Sequence, residues 1–287
     1  MPSSLEWSCR DRVLSLAGRP LIMGILNVTP DSFSDGGRYE SADSAVCRAQ
    51  RLLDDGADIL DIGGESTRPG ADAVDEAEEL RRVVPVIRRL ASDPAVVISV
   101  DTRKAAVARA ALEAGARIIN DVTALTGDPG MPAVAREFGA GVVLMHMAGT
   151  PRTMQQAPEY GDVVAEVGGY LARRVEELAG GAGLDPRCLT VDPGIGFGKT
   201  IEHNLRLLAG LPSLLEGIGR PLVVGLSRKS FLQKITGRDV NERLAGSLAG
   251  LVYCVLRGAR VVRVHDVRET ADAVRVALAL RGAEGSV

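Results

Sequence analysis

Eight short runs rich in Val, Ile and Leu recur along the whole chain, at residues 21–28, 58–62, 96–100, 117–122, 141–145, 188–191, 222–226 and 261–264. Most do not alternate apolar with polar residues, which is the pattern of parallel strands covered on both faces. Parallel neighbours need long crossover connections. The intervening segments supply them as Ala/Leu/Arg/Glu-rich stretches with helical spacing at 41–55, 73–90, 103–114, 162–178, 243–256 and 268–280. Eight strands alternating with helices predict an α/β chain folded as a single (β/α)8 TIM barrel, with an open doubly wound sheet as the alternative. No repeat, linker or low-complexity stretch divides the chain. The expected organisation is one domain over 1–287, with an N-terminal extension at 1–19 and the barrel at 20–282. Whether the extension covers the barrel floor is left open by the sequence.

Composition excludes several classes of function. The net charge is −3 with acidic and basic residues interspersed, so there is no basic footprint for nucleic acid. The longest apolar run, 248–256, is too short to cross a bilayer. The first residues, MPSSLEWSCRDRVL, lack the basic and apolar regions of a secretory signal, so a cytoplasmic protein without membrane partners is expected. Cysteines at 9, 47, 188 and 254 stand alone, which argues against a zinc site or disulfide framework and for a reducing compartment. Of 34 basic residues only Lys104, Lys199, Lys229 and Lys234 are lysines. Where lysine is retained in so arginine-rich a chain, the position calls for a compact ammonium rather than a planar fork.

Polar residues gather where the strands are expected to end. Asn27 ends the first run, the second leads into Asp61–Gly70, Asp101 follows the third, and Asn120 and Asp121 close the fourth. His146 follows the fifth, Asp192 the sixth, and residues 227–230 the seventh, while Arg263 and His265 end the eighth. Barrel active sites lie at the C-terminal strand ends. A single Asp there can be a helix cap, but such residues at all eight ends point to a ligand site.

These residues lie in segments whose order and content are specific: NVTPDSFSDGG at 27–37, DIGGESTRPG at 61–70, SVDTRK at 99–104, INDV at 119–122, MHMAGTPRTMQ at 145–155, DPGIGFGK at 192–199, SRKSFL at 227–232 and RVH at 263–265. Taken together, from about residue 20 to 270, the chain resembles the dihydropteroate synthase family. The resemblance implies a (β/α)8 barrel that condenses 6-hydroxymethyl-7,8-dihydropterin diphosphate with 4-aminobenzoate in folate biosynthesis. The implied products are 7,8-dihydropteroate and pyrophosphate.

The resemblance also implies roles for residues. Asp192 and Asn120 read the hydrogen-bonding edge of the pterin, and Asp101 contacts its far ring. Lys229 hydrogen-bonds the pterin carbonyl from between the two substrate positions. Asn27, Arg68, Arg263 and His265 hold the diphosphate, with Asn27 also at a bound Mg²⁺. Phe33, Thr67, Arg68, Pro69, Phe197 and Ser230 shape the 4-aminobenzoate slot, where sulfonamides would compete. Asp101, Lys229, Arg263 and His265 are the expected catalytic groups, and the family points to a homodimer, for which the apolar 244–256 helix offers a contact. Several residues have plainer readings: Asp101 and Asp192 as helix caps, Arg263 as an ordinary surface arginine, His265 as a hydrogen-bonded core residue, Ser230 as a simple helix N-cap, and Lys199 as a solvated loop residue. The competing functions are a pterin-dependent methyltransferase barrel acting on a corrinoid, an inactive pterin-binding paralogue, and a phosphate-sugar barrel enzyme.

Overall fold

The computed structural model describes residues 5–29, 38–66, 73–150, 153–155 and 158–284, without the side chains of 38–41 and 284. A two-stranded antiparallel hairpin comes first, β1 (Glu6–Cys9) and β2 (Arg12–Ser15). The chain then alternates β3 (Leu21–Asn27), α1 (Arg38–Asp54), β4 (Ile59–Gly63), α2 (Glu76–Leu90), β5 (Val97–Asp101), α3 (Ala105–Glu113), β6 (Ile118–Asp121), α4 (Met131–Phe138) and β7 (Gly141–Met145). It continues through α5 (Val163–Glu176), β8 (Leu189–Asp192), α6 (Ile201–Ala209), α7 (Leu211–Ile218), β9 (Leu222–Val224), α8 (Ser230–Thr236), α9 (Leu244–Leu256), β10 (Ala259–Val264) and α10 (Val267–Glu284). Strands β3 to β10 pair in parallel, in sequence order, and β10 closes on β3. The barrel expected from the eight apolar runs is therefore the observed fold, and the open sheet is not.

Helices α4, α6, α7 and α8 escape the sequence pattern; each has only seven to nine residues, about two turns, which display a period poorly, and of the helices this short only the alanine-rich α3 was legible. Among the described residues no helix is long and apolar enough to cross a membrane.

The pleat sends alternate side chains to opposite faces of each strand. On β4, Leu60 and Ile62 join the large core between strands and helices, whereas Ile59 joins a second cluster inside the barrel. Continuing inward by twos from Ile59 reaches Asp61 and then Gly63. The same step leads from Val97 through Ser99 to Asp101 on β5, from Ile118 to Asn120 on β6, and from Val261 to Arg263 on β10. Inward positions are thus apolar at the N-terminal ends of the strands and polar toward the C-terminal ends.

The hairpin plugs the apolar end. Trp7, Cys9 and Leu16 are fully buried against Met23, Ile59, Val97, Ile118, Val143, Val223 and Val261. The Trp7 indole N–H donates to the Cys188 carbonyl at 2.8 Å, which satisfies its polar edge. Arg117 pairs with Asp11 at 2.8 Å and ties the hairpin to the start of β6.

Candidate active site

Strand register sets several polar residues level with one another. Asn27 is paired with Gly63, Gly63 with Asp101, and Asp101 with Asn120, so three of the expected residues stand on one rung of the barrel. Gly63 lies close beside Asp101 on this rung, where a Cβ would stand at contact distance, 3.4 Å, from the Asp101 Cβ.

One step below the rung is Asp61, which has no exposed surface. Its Oδ2 accepts from Arg263 Nε at 2.5 Å and from Asn120 Nδ2 at 3.0 Å, and the Arg263 Nη2 donates to Asp101 Oδ2 at 2.6 Å. The other Asp61 oxygen is buried without a partner among the described residues. Asp61 is thus the anchor that fixes both Arg263 and Asn120, and the sequence reading did not assign it a role. Its signal was present: a carboxylate in the middle of an apolar strand, facing inward, is costly unless paired.

The electrostatics follow from this burial. Desolvation pushes the Asp101 carboxyl up to about 7, against the pull of Arg263 and with the Asp61 charge adding to the rise. Desolvation disfavours the Arg263 cation too, but Asp61 and Asp101 outweigh it and hold the guanidinium above its usual range. Asp101 caps no helix, since the residue before α3 is Lys104, so its carboxylate serves the mouth rather than local structure.

Asp192 ends β8, and its Oδ1 accepts from the Gly194 N–H at 2.7 Å. One oxygen therefore braces the turn that follows. Burial raises its pKa, with Lys229 and the Gly194 hydrogen bond opposing.

Lys229 sits just before α8, with its Nζ donating to the Ile195 carbonyl at 2.5 Å and lying 4.6 Å from the centre of the Phe197 ring. Burial pushes the ammonium down to about 8, with Asp192 holding it up. Its direction is set by Arg228, a non-glycine residue at φ 59°. That strained turn is held by the Arg228–Asp266 ion pair, by Ser247 accepting from the Arg228 N–H at 3.0 Å, and by Arg243 donating to the Arg228 carbonyl at 2.8 Å. Ser230 is exposed and is the first residue of α8, with Lys229 in the capping position. The N-cap expectation for Ser230 is corrected accordingly.

His265, just past β10, shares a 3.2 Å hydrogen bond through Nδ1 with the hydroxyl of buried Ser227. Asn27 is half-buried at the end of β3. Phe33, Thr67, Arg68 and Pro69 lie outside the described residues.

The expectation for Lys199 is overturned. Only 3% of its surface is exposed, and its Nζ lies 3.0 Å from His146 Nδ1, 3.0 Å from the Gly194 carbonyl and 2.9 Å from the Phe197 carbonyl. A lysine in a glycine-rich loop looks solvated in sequence, but three glycines at positive φ, 194, 196 and 198, turn the loop's carbonyls in on it. Gly194 cannot be replaced without rebuilding the turn, because a Cβ there would stand 1.9 Å from the His146 carbonyl oxygen.

No group of three or more His, Cys, Asp or Glu able to enclose a metal occurs among the described residues. Asp61 and Asp101 are committed to Arg263. Asn27, at the end of β3, offers a neutral amide oxygen, a donor that fits an ion held chiefly by phosphate oxygens and water.

Comparison with known proteins agrees with this arrangement. Residues 23–265 match the family model described as pterin binding enzyme. The chain is 50% identical over 260 residues to the dihydropteroate synthase of Neisseria meningitidis serogroup C, covering 90% of this chain and 91% of that protein. It superposes with a TM-score of 0.90 on the Xanthomonas albilineans dihydropteroate synthase solved with 4-aminobenzoic acid, at 50% identity, covering 97% of this chain and 99% of that one. A structure of the Xanthomonas albilineans enzyme in complex with 7,8-dihydropteroate aligns with a TM-score of 0.86 at 47% identity, covering 96% and 98% of the two chains.

Proposed function

Because the chain belongs to the pterin-binding enzyme family, among its dihydropteroate synthases, we propose that its barrel mouth joins 6-hydroxymethyl-7,8-dihydropterin diphosphate to 4-aminobenzoate by a dissociative substitution. The observation that carries this reading is the convergence of Arg263, Asp61, Asp101 and Asn120 in one hydrogen-bonded network at the C-terminal end of the barrel. A cationic fork beside carboxylates and an amide suits a ligand with a heterocyclic edge at one end and an anionic tail at the other.

In the reaction the C–O bond between the pterin CH₂ and the diphosphate breaks, and its electron pair leaves with pyrophosphate. The resulting cation is delocalised into the electron-rich dihydropterin. The aryl amine nitrogen then forms the C–N bond and loses a proton to water. The amine is already a free base at neutral pH, so no strong general base is required. The protein's task is electrostatic. Arg263 and His265 receive the leaving anion, while Asp101 offsets the positive charge that develops on the pterin. Asp192 and Asn120 fix the heterocycle, and Lys229 stands between the two substrates. Asn27 would offer its amide oxygen to a Mg²⁺ arriving with the diphosphate, an ion that would supply positive charge against the leaving group.

Phe197 and Ser230 are the described members of the 4-aminobenzoate slot, with Phe33, Thr67, Arg68 and Pro69 as its other proposed contacts; Arg68 would also reach the diphosphate. The enzyme works in the cytoplasm as a homodimer, and the exposed apolar residues of α9 and α10, Tyr253, Leu256, Val276 and Leu280, support that assembly. The test is a coupled assay for pyrophosphate release. Release that depends on 4-aminobenzoate supports the reading; its absence in correctly folded protein would overturn it.

A further inference from the structure

Lys199 carries a buried amino group that the substitution chemistry does not use; burial pushes it down to about 7, with the Asp192 charge holding it up. Four acceptors surround it: His146 Nδ1 at 3.0 Å, the His146 carbonyl at 3.3 Å, the Gly194 carbonyl at 3.0 Å and the Phe197 carbonyl at 2.9 Å. Two of these belong to its own loop and two to the segment after β7, so the ammonium joins the loops that follow adjacent strands. The rest of the loop is equally committed. The Gly196 N–H donates to Asn204 Oδ1 at 2.7 Å, the Gly196 carbonyl accepts from Gln155 at 2.8 Å, and the Gly198 carbonyl accepts from the Tyr160 hydroxyl at 3.0 Å.

The loop's free edge meets the site. Ile195 offers the carbonyl that takes the Lys229 ammonium, and Phe197 offers the ring over which that ammonium lies. Gly196, between them, lets the Lys229 stem pass close by, since a Cβ there would lie 3.2 Å from Lys229 Cδ. Both groups that aim Lys229 are therefore carried on the backbone wrapped around Lys199.

We propose that Lys199 is a positioning residue whose ammonium, gripped by His146 and the loop carbonyls, sets Ile195 and Phe197 so that Lys229 and the aromatic wall stand correctly for 4-aminobenzoate. The proposal rests on the function given above. An ammonium suits the place because its donors radiate toward acceptors on several sides, which a planar guanidinium does not match. His146 is a suitable partner, because burial and the Lys199 charge push its imidazole down to about 3 and keep it neutral. With a donor at Nδ1, the ring proton then belongs on Nε2.

The test is steady-state kinetics of Lys199→Met, which keeps the unbranched stem as far as Cε and removes the terminal amino group with its charge and donors. The KM for 4-aminobenzoate should rise about 10- to 100-fold, the cost of a misplaced contact. The KM for the pterin diphosphate should rise less, by no more than about fivefold, because Asp192, Asn120 and Asp101 sit on strand ends and only Lys229, among its proposed contacts, is aimed by this loop. An equal rise for both substrates, or no rise, would overturn the proposal while leaving the function intact. Loss of 4-aminobenzoate-dependent pyrophosphate release in the wild type would instead overturn the function. Lys199→Gln, which retains one amide donor, should give an intermediate selective rise and serves if the Met variant does not fold. Failure of both variants to fold would make Lys199 a stability residue and end the proposal.

Discussion

Asp61→Ala is the sharpest test of how the barrel mouth is built. Asp61 is fully buried and its single oxygen Oδ2 holds both Arg263, at 2.5 Å, and Asn120, at 3.0 Å. Removing it deletes one charge-assisted hydrogen bond, about 1.5–3 kcal/mol, and one neutral-donor bond to a carboxylate of similar order. Arg263 keeps Asp101 as a partner at 2.6 Å, so the guanidinium is not abandoned, and the total should fall at roughly 3–5 kcal/mol, as for other broken buried pairs. At ~2–4 °C per kcal/mol for a chain of this size, melting should drop by roughly 6–20 °C. Asp61→Asn should lose roughly half as much, since an amide oxygen can accept from one donor while its NH₂ meets the other. Activity should respond separately. Without the shared anchor Arg263 and Asn120 lose their mutual placement, and kcat/KM for the pterin diphosphate should fall about 100-fold. The assays are thermal melting and pyrophosphate release on the same preparations. A loss of stability below about 1 kcal/mol together with kcat/KM within threefold of wild type would refute the argument that Asp61 organises the mouth.

Other outcomes follow from the same geometry. The Lys229 ammonium, lowered by burial to about 8, should impose an alkaline limb on kcat/KM near that pH, and Lys229→Arg should move the limb beyond pH 9, as a pH–rate profile would show. Between about 8 and the ordinary lysine value of about 10.4 the unfolded chain binds more protons at this position, so its contribution to stability rises with pH while activity falls; urea midpoints measured across that window check the sign. Asp192→Asn keeps an acceptor for the Gly194 N–H and removes a buried charge, so melting should stay near wild type while kcat/KM for the pterin substrate falls about 10- to 100-fold. Trp7→Ala should cost about 3–5 kcal/mol in urea unfolding yet leave kcat/KM of the folded fraction unchanged, because the indole packs at the opposite end of the barrel.

The fold was legible because buried parallel strands leave an unmistakable trace: β4, β5 and β7 are buried at every position, and their sequences are nearly continuous apolar runs. The same continuity hid the finer pattern. Within β4, Ile59, Asp61 and Gly63 share the inner face, and counting by twos from the strand end would have placed Asp61 beneath the Gly63 and Asp101 pairing. The scarcity of lysine also carried more than it first revealed. Lys104 reaches Glu65, Glu79 and the Val74 carbonyl, Lys199 has four acceptors, and Lys229 pairs a carbonyl with an aromatic face, whereas Lys234 is exposed. A residue type kept against the chain's bias marked three positions where one point charge serves several partners. The Arg228 turn left no such trace, since its positive φ depends on Asp266, Ser247 and Arg243, which come from later in the chain.

The apolar inward layer of the strands, closed beneath by the hairpin, makes the molecule a cup rather than a tube. A vessel shut below has only its rim, so reactants and products cross the same threshold in opposite directions. Whichever guest lies deepest must arrive first and depart last. The floor that Trp7 shares with Met23, Ile59 and Val261 thus leaves a single doorway, although it lies at the far end of the strands from every polar group of the mouth.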